Sequence, residues 1–367
     1  MASDLPAVAA FTDSFLPTVN GVTYTVSTWR DRWHARGGEM PIVYPRSTHV
    51  PENGEYPVSS LPFPFYDGYR IAVPRAPASV RNVDVVHAHT PFGLGVAAWR
   101  LAEKCDVPLV ATYHTPTAEY AEYVGPDAVT GFVRDASERW ERWFLDRADL
   151  VLTPSDRTRD HVRDLGVATR IESLQNGVDT EWFRPTDGDD FRARHDLPDG
   201  PLVGYTGRHG YEKRLSDLLA AAEGIDATLV FGGDGPAREE LEREAAERDV
   251  DARFLGFLDR DELPAFYSVL DAFAFPSPVE TEGLVALEAN ACGTPVAGVN
   301  AGALSETIVD GETGYHYEPG DVDGFRTAIR RTLDESDRLS ENCLASRDDV
   351  SVERAIDDLE EHYRSLW

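Results

Sequence analysis

Short, nearly continuous apolar runs alternate along the chain with stretches whose apolar residues recur at helical spacing. The runs AVAAFTD (7–13), MPIVYP, VDVVHAHT (83–90), PLVATYHT (108–115) and ADLVLTPS are of this kind. Such runs predict strands covered on both faces, because a strand with one wet face would alternate polar and apolar residues. Between them, Gly21 to Arg36 and PFGLGVAAWRLAEKC have the spacing of helices, SSLPFPF predicts a further strand, and IESLQNGVD (171–179) closes the series. Strands that alternate with helices predict βαβ repetition and a parallel sheet.

The stretch Thr180 to Gly200 is rich in Asp, Pro and Gly and is expected to link into a second series. That series runs PLVGYTGR, ATLVFGGDG, ARFLGFLD, DAFAFPS and PVAGV, each followed by a helical stretch. The expected class is α/β, with two facing Rossmann-like domains, each a doubly wound parallel sheet, and a cleft into which both sets of strand-end loops point. The expected boundaries are 1–180 for an acceptor-side domain and 181–350 for a nucleotide-sugar-binding domain. A helix over 351–367 is expected to pack back on the first. Pro276 to Gly298 reads as strand, loop, helix, strand, and places Glu280, Glu282 and Gly283 in the loop. A further helix over 131–149 carries Phe132, Ala136, Trp140, Trp143 and Phe144 on one stripe, with Arg134, Arg139, Arg142 and Arg147 beside them. Two readings stand there: packing on the sheet, or peripheral contact with a membrane surface.

Composition narrows the partners. The formal net charge is −30, and only Lys104 and Lys213 are lysines. Such a surface repels nucleic acid, and its self-repulsion suits molar salt, where screening shortens to about 3 Å. A halophilic, high-salt cytoplasm is therefore expected. The start MASDLPAVAAFTD has no basic region ahead of its apolar run and reads as a strand instead of a signal peptide. No apolar run approaches the roughly 20 residues that span a bilayer, so the expected location is cytoplasmic, extending to the inner face of the membrane. Cys105, Cys292 and Cys343 have no metal-ligand or disulfide spacing.

Candidate chemistry lies at the predicted strand ends. The amides that open a helix after a parallel strand favour an anion such as phosphate, and Glu280 and Glu288 bracket those that follow Gly283. Arg208 and Lys213 flank a turn into a helix and would clamp a diphosphate from two sides. Gly21 lets backbone approach a phosphate closely. His114 ends a strand and can hydrogen-bond a sugar hydroxyl or a departing oxygen. His87 and His89 share a face but lack a third ligand, so no metal is expected. FGGDGP (231–236) departs from G-x-G-x-x-G at Arg238, which argues against a nicotinamide cofactor.

The strings FTDSFLPTVNGVTYTV, VDVVHAHTPFGLG, ATYHTPTAEYAEYV, LQNGVDTEWFRP, GRHGYEKR, GGDGPARE, FLGFLDRDELPAFYSVLDAFAFPS and ETEGLVALEANACGTPV, in this order, resemble the family 4 retaining glycosyltransferases of the GT-B fold. The resemblance implies that Glu280 meets the donor sugar and Glu288 the ribose. It implies that Arg208 and Lys213 bind the diphosphate, that Gly283 and Leu284 offer amides, that Gly21 belongs to the amino-terminal glycine loop, and that His114 lies beside the donor sugar. Glu280, His114, Arg208 and Lys213 would then serve catalysis. No cofactor or metal is implied; the co-substrate is a nucleoside diphosphate sugar, UDP-hexose or GDP-mannose. Within the family the opening segment, TYHTPTAEYAEYV and ETEGLV look most like enzymes acting on diacylglycerol-type lipids. Glu282 stands where many relatives have Phe or Gln, and is the candidate for donor specificity. Transfer to a membrane glycerolipid is the leading expectation. A polyprenol-linked or surface glycan acceptor, a sugar-nucleotide epimerase and a non-catalytic sugar-nucleotide binder are the alternatives.

Overall fold

A computed structural model describes residues 5–62, 70–114 and 127–366, with side chains omitted at 127–130, 132 and 133. The TPTAEYAEYV run, the end of SSLPFPF, Trp367 and the side chain of Phe132 lie outside that description. The chain forms two compact units, Met1–Asn176 with Val352–Trp367, and Gly177–Ser351.

The first unit holds β1 (Val8–Phe11), β2 (Ile42–Pro45), β3 (Glu55–Val58), β4 (Ser60–Pro62), β5 (Arg70–Ala72), β6 (Val85–Ala88), β7 (Leu109–Thr112), β8 (Leu150–Thr153) and β9 (Ile171–Ser173). Seven of these form one parallel sheet in the order β3-β2-β1-β6-β7-β8-β9, while β4 and β5 make a separate antiparallel ribbon. Every residue of β1, β2, β6, β7 and β8 is buried, which is why these strands are mostly apolar, with His87, Thr112 and Thr153 among the polar exceptions. The helices are α1 (Gly21–Ala35), α2 (Gly93–Cys105), α3 (Asp127–Leu145) and α4 (Asp156–Asp164), joined at the chain's end by α13 (Val352–Arg364).

Two expectations are corrected here. The strand expected in SSLPFPF is not in the main sheet: its described part, β4, pairs with β5, and the sheet's edge is β3 instead. In β3 the charged Glu55 is buried against Arg30 at 2.6 Å and His49 at 2.8 Å, so tertiary pairing overrides its low strand propensity. The helix expected over 131–149 runs from Asp127 to Leu145, because Asp146 to Asp149 turn into β8.

In α1 Val26, Trp29 and Trp33 face inward, and the Asn20 side chain caps the helix by accepting from the Thr23 amide. In α13 Val352, Ile356, Leu359 and Tyr363 enter the same cluster as Trp29, Trp33, Val85 and Leu150. The last helix therefore completes the first unit's core. The opposite face of the sheet is covered by α2 and the end of α3, through Leu94, Leu101, Phe144 and Leu145.

The second unit contains β10 (Leu202–Thr206), β11 (Thr228–Gly232), β12 (Ala252–Gly256), β13 (Ala272–Phe275), β14 (Val296–Val299) and β15 (Gly314–Tyr317). They form a parallel sheet in the order β12-β11-β10-β13-β14-β15. Its helices are α5 (Asp189–Arg194), α6 (Leu215–Ala222), α7 (Arg238–Glu247), α8 (Leu263–Ser268), α9 (Leu284–Ala291), α10 (Leu304–Thr307), α11 (Val322–Asp334) and α12 (Ser336–Ala345). The link expected over Thr180 to Gly200 thus contains a short helix of its own, anchored by buried Phe191.

Each sheet reverses its strand order once, between β1 and β6 and between β10 and β13. At such a switch point the two adjacent strand-end loops diverge to opposite faces and leave a crevice, the usual ligand position in this architecture.

Candidate functional site

The loops at the second unit's switch point are residues 207–214 after β10 and 276–283 after β13. Lys213 lies in the first and Glu280 in the second, and the Lys213 Nζ donates to Glu280 Oε1 at 2.7 Å with about four fifths of both side chains buried. A turn of 3₁₀ helix at Tyr211–Lys213 carries the lysine, and Arg214, in the left-handed region at φ 53, starts α6. Arg208 is half-buried in the same loop, where its carbonyl accepts from the Tyr205 hydroxyl at 3.2 Å.

The Glu280 loop is fixed from behind by Gly302. A Cβ there would meet Glu280 O at 2.8 Å and Pro278 O at 2.9 Å, and the neighbouring Ala303 amide donates to Glu280 O at 2.9 Å. Gly283 starts α9 at φ 79, a conformation glycine adopts without strain, and Leu304 fills the space a Cβ would need. Leu284 opens the helix, so its amide is one of those with no intrahelical acceptor.

Glu288 lies in the middle of α9, where its Oε2 accepts from the Tyr267 hydroxyl at 2.7 Å. Burial pushes its carboxyl up to about 7, against the lowering effect of that hydrogen bond and of Arg260. Glu282 is buried, 4% exposed, which sequence reading did not anticipate for an acidic loop residue. Its carbonyl accepts from the Thr307 hydroxyl.

Gly21 and His114 belong to the first unit. Gly21 is the exposed first residue of α1, after the loop that leaves β1. His114 follows β7 and is buried, its Nε2 3.0 Å from Nδ1 of His89. His89 stacks on His87 at 4.1 Å, and both nitrogens of His87 are engaged, Nδ1 with the Tyr363 hydroxyl at 2.6 Å and Nε2 with Thr112 Oγ1 at 2.7 Å. Burial lowers all three, His87 and His114 to about 3, so each ring is neutral near pH 7. A fully engaged His87 has no lone pair to give a metal, and among the described residues no group of three or more His, Cys, Asp or Glu is placed to hold one.

Sequence reasoning missed Asp13, just past β1. It accepts from Thr90 Oγ1 at 2.8 Å and from the Leu94 amide at 3.1 Å, and so ties the switch-point loop after β1 to the start of α2. Burial raises its carboxyl to about 6 despite these bonds. Nothing local marks it, since the burial comes from strands distant in sequence. Tyr267 and Gly302 were missed for the same reason.

In α3, Trp140 stacks on Trp143 at 4.7 Å and remains 39% exposed, while Arg147 sits 3.7 Å from the Trp143 ring centre. Phe144 and Leu145 enter the core, so the stripe does pack on the sheet at its carboxyl end. No helix among the described residues is long and apolar enough to cross a membrane.

Two family descriptions match the chain, Glycosyltransferase Family 4 over residues 19–182 and Glycosyl transferases group 1 over residues 187–345. A GDP-mannose-dependent alpha-mannosyltransferase of Corynebacterium glutamicum is 30% identical, over 98% of this chain and 89% of its own. An alpha-monoglucosyldiacylglycerol synthase of Streptococcus pneumoniae is 26% identical, over 93% and 81%. The Anabaena protein HepE, solved in complex with UDP-glucose, superposes with a TM-score of 0.79 at 18% identity, covering 98% of this chain and all of that one. The two parallel-sheet units and this likeness show the GT-B fold.

Proposed function

We propose, on the premise that the chain belongs to glycosyltransferase family 4 and is a hexosyltransferase using a nucleotide sugar, that it transfers the hexose to a membrane glycerolipid hydroxyl, with retention and without a metal. The family membership sets aside the epimerase and the non-catalytic binder.

The observation that carries the site assignment is the meeting of Lys213 and Glu280 at the second unit's switch point. In this reading an ammonium beside Arg208 neutralises the diphosphate, and Glu280 turns its carboxylate to the hexose hydroxyls. The amides at Gly283 and Leu284 add positive potential at the start of α9. Glu288, held by Tyr267, meets the ribose. Gly21 and His114 serve from the first unit, where a neutral imidazole can hydrogen-bond a sugar or a departing oxygen without placing a cation near the anomeric carbon.

Chemically, the bond between the anomeric carbon and the diphosphate oxygen breaks as the acceptor oxygen attacks the same face. The departing diphosphate takes the acceptor's proton and the negative charge. Fixed cations and amides aimed at that charge are the kind of preorganised electrostatics that commonly dominates such catalysis. Arg208 and Lys213 supply the charge that a divalent cation would otherwise bring, which supports a metal-free reaction. Glu282, buried among the loops that carry Glu280 and Gly283, is the residue we assign to donor selection. The names of the relatives point to both GDP-mannose and UDP-glucose as donor types.

The glycerolipid acceptor is supported by the opening and ETEGLV motifs and by the relative named alpha-monoglucosyldiacylglycerol synthase. Exposed Trp140 on the arginine-bearing α3 supports work at the inner face of a membrane. The test is a thermal-shift screen of UDP- and GDP-hexoses in multimolar KCl, then mass spectrometry of product formed on extracted membrane lipids. A hexosylated glycerolipid is expected; product only on polyprenol or glycan fractions would overturn the lipid assignment. The charge of −30 supports a high-salt cytoplasm. Unfolding midpoints should therefore rise with KCl, and constant midpoints would sink that assignment.

A further inference from the structure

The three buried histidines of the first unit are more than the assigned reaction uses. His114 alone was placed against the donor, yet it is hydrogen-bonded to a second imidazole that has no role in that account. We propose that His89 is a positioning residue that sets the tautomer of His114, by donating from its Nδ1 to His114 Nε2 and so leaving the proton of His114 on Nδ1.

The geometry that carries this is the 3.0 Å separation between His89 Nδ1 and His114 Nε2, with ring planes within 20° of one another. Two neutral imidazoles can share such a bond in only one way at a time: one nitrogen carries the hydrogen and the other the lone pair. Whichever tautomer His89 holds dictates that of His114, and through it whether the second nitrogen of His114 donates or accepts. Protonation of both rings, which would remove the distinction, is opposed by their burial, His89 2% and His114 8% exposed.

His89 is itself held rigidly. His87 stacks on it at 4.1 Å and is fixed by Thr112 and by Tyr363 of α13. Trp29 of α1 lies 6.0 Å from the His87 ring and 5.8 Å from the His89 ring, and its Nε1 donates to Asn176 O at 2.8 Å. The choice of donor rests on the proposed function: an oxygen that gains negative charge as it leaves needs an N–H, not a lone pair, from His114. A wrongly assigned tautomer on a well-placed imidazole is known to be costly in other enzymes.

The experiment uses the full chain with ¹⁵N-labelled histidine, and long-range proton–nitrogen spectra that distinguish Nδ1–H from Nε2–H. Signals of His114 are identified by their loss in His114→Gln. In the wild type His114 is expected as the Nδ1–H form. In His89→Ala it should become a mixture or invert. In His89→Asn, whose amide group can occupy the place of Nδ1 and donate, the wild-type form should return. With the donor and acceptor found above, kcat should fall about tenfold to hundredfold in His89→Ala with donor KM within about twofold, and recover in His89→Asn.

A wild-type His114 protonated on Nε2, or a His114 tautomer indifferent to His89→Ala, overturns the inference. If His89→Ala does not fold, the wild-type spectrum and that of His89→Asn still decide it. A tautomer that changes as expected while kcat does not would uphold the control by His89 and overturn the catalytic placing of His114, so the two failures are distinguishable.

Discussion

The two switch points are built on the same plan and carry opposite chemistry. In the second unit the loops after β10 and β13 present a lysine and a glutamate that keep about a fifth of their side-chain surface in solvent and pair at 2.7 Å. In the first unit, the segment after β6, at the switch point, presents His89, and the segment after the neighbouring β7 presents His114, both buried and both far less basic than a free imidazole. The reason is depth. A charged pair survives where solvent and its partner share the cost of desolvation; a buried imidazole lowers that cost by losing its proton. The chemistry at the strand ends thus divides, with fixed charge in one unit and neutral hydrogen-bonding groups in the other.

The division breaks most visibly if the charges are removed. Lys213→Ala and Arg208→Ala should each lower kcat by about 10² to 10³, the usual cost of one preorganised charge-stabilising group. Initial rates at saturating donor measure this, and near-normal turnover in both variants would dissolve the contrast.

A subtler test uses a carboxylate of the charged unit that, like the buried histidines, burial pushes toward its neutral form. Glu288 has its folded-state value raised from 4.5 to about 7. The native state therefore holds a proton there that the unfolded chain has already released, and stability should fall as pH rises from about 4.5 to 7. At full effect that interval is worth roughly 3 kcal/mol, and less for a half-buried group. Asp13, raised from 3.8 to about 6, adds a loss of the same sign at lower pH. Denaturant unfolding at pH 5, 6 and 7 should show the decline. Glu288→Gln should remove the decline between 6 and 7 and roughly half of that between 5 and 6, whereas Asp13→Asn should act only below pH 6. Stability that rises over this range would refute the assignment.

Smaller still is the effect of Gly302→Ala. Its φ of 54 opposes a side chain, and so does the carbonyl of Glu280, which would stand 2.8 Å from the added methyl group. A stability loss of about 1–2 kcal/mol is expected from the backbone conformation, with a several-fold rise in donor KM as the Glu280 loop shifts. Unchanged donor KM would show that the loop tolerates displacement.

Much of the fold was legible because it rests on local pattern. Strands that are apolar at every position, such as Val8–Phe11, or at all but the last, such as Leu150–Thr153, announce a sheet buried on both faces. The exceptions have physical reasons. Glu55 hid β3, because an acidic residue enters a strand only when partners such as Arg30 and His49, distant or out of phase in sequence, neutralise it. In the candidate site, the loop residues Arg208, Lys213, Glu280 and Gly283 were visible as polar and glycine positions between a strand and a helix, where sites gather. Glu282 was expected in the loop, where it lies, but its burial, 4% exposed, was not legible in the sequence because it comes from the packing around that loop.

The chain's own order of residues was enough to determine the class of structure, the series of strands and helices, and the polar groups that end up beyond the strands, since periodicity and loop chemistry are local. Which of those groups meet was decided only by tertiary structure. Strand order, with β10 beside β13 and β1 beside β6, brings Lys213 to Glu280 across 67 residues and Asp13 to Thr90 across 77. Protonation was decided there as well: the three imidazoles are neutral and Glu288 is a weak acid because of what is packed around them, and burial is a property of the assembled chain that no local pattern contains.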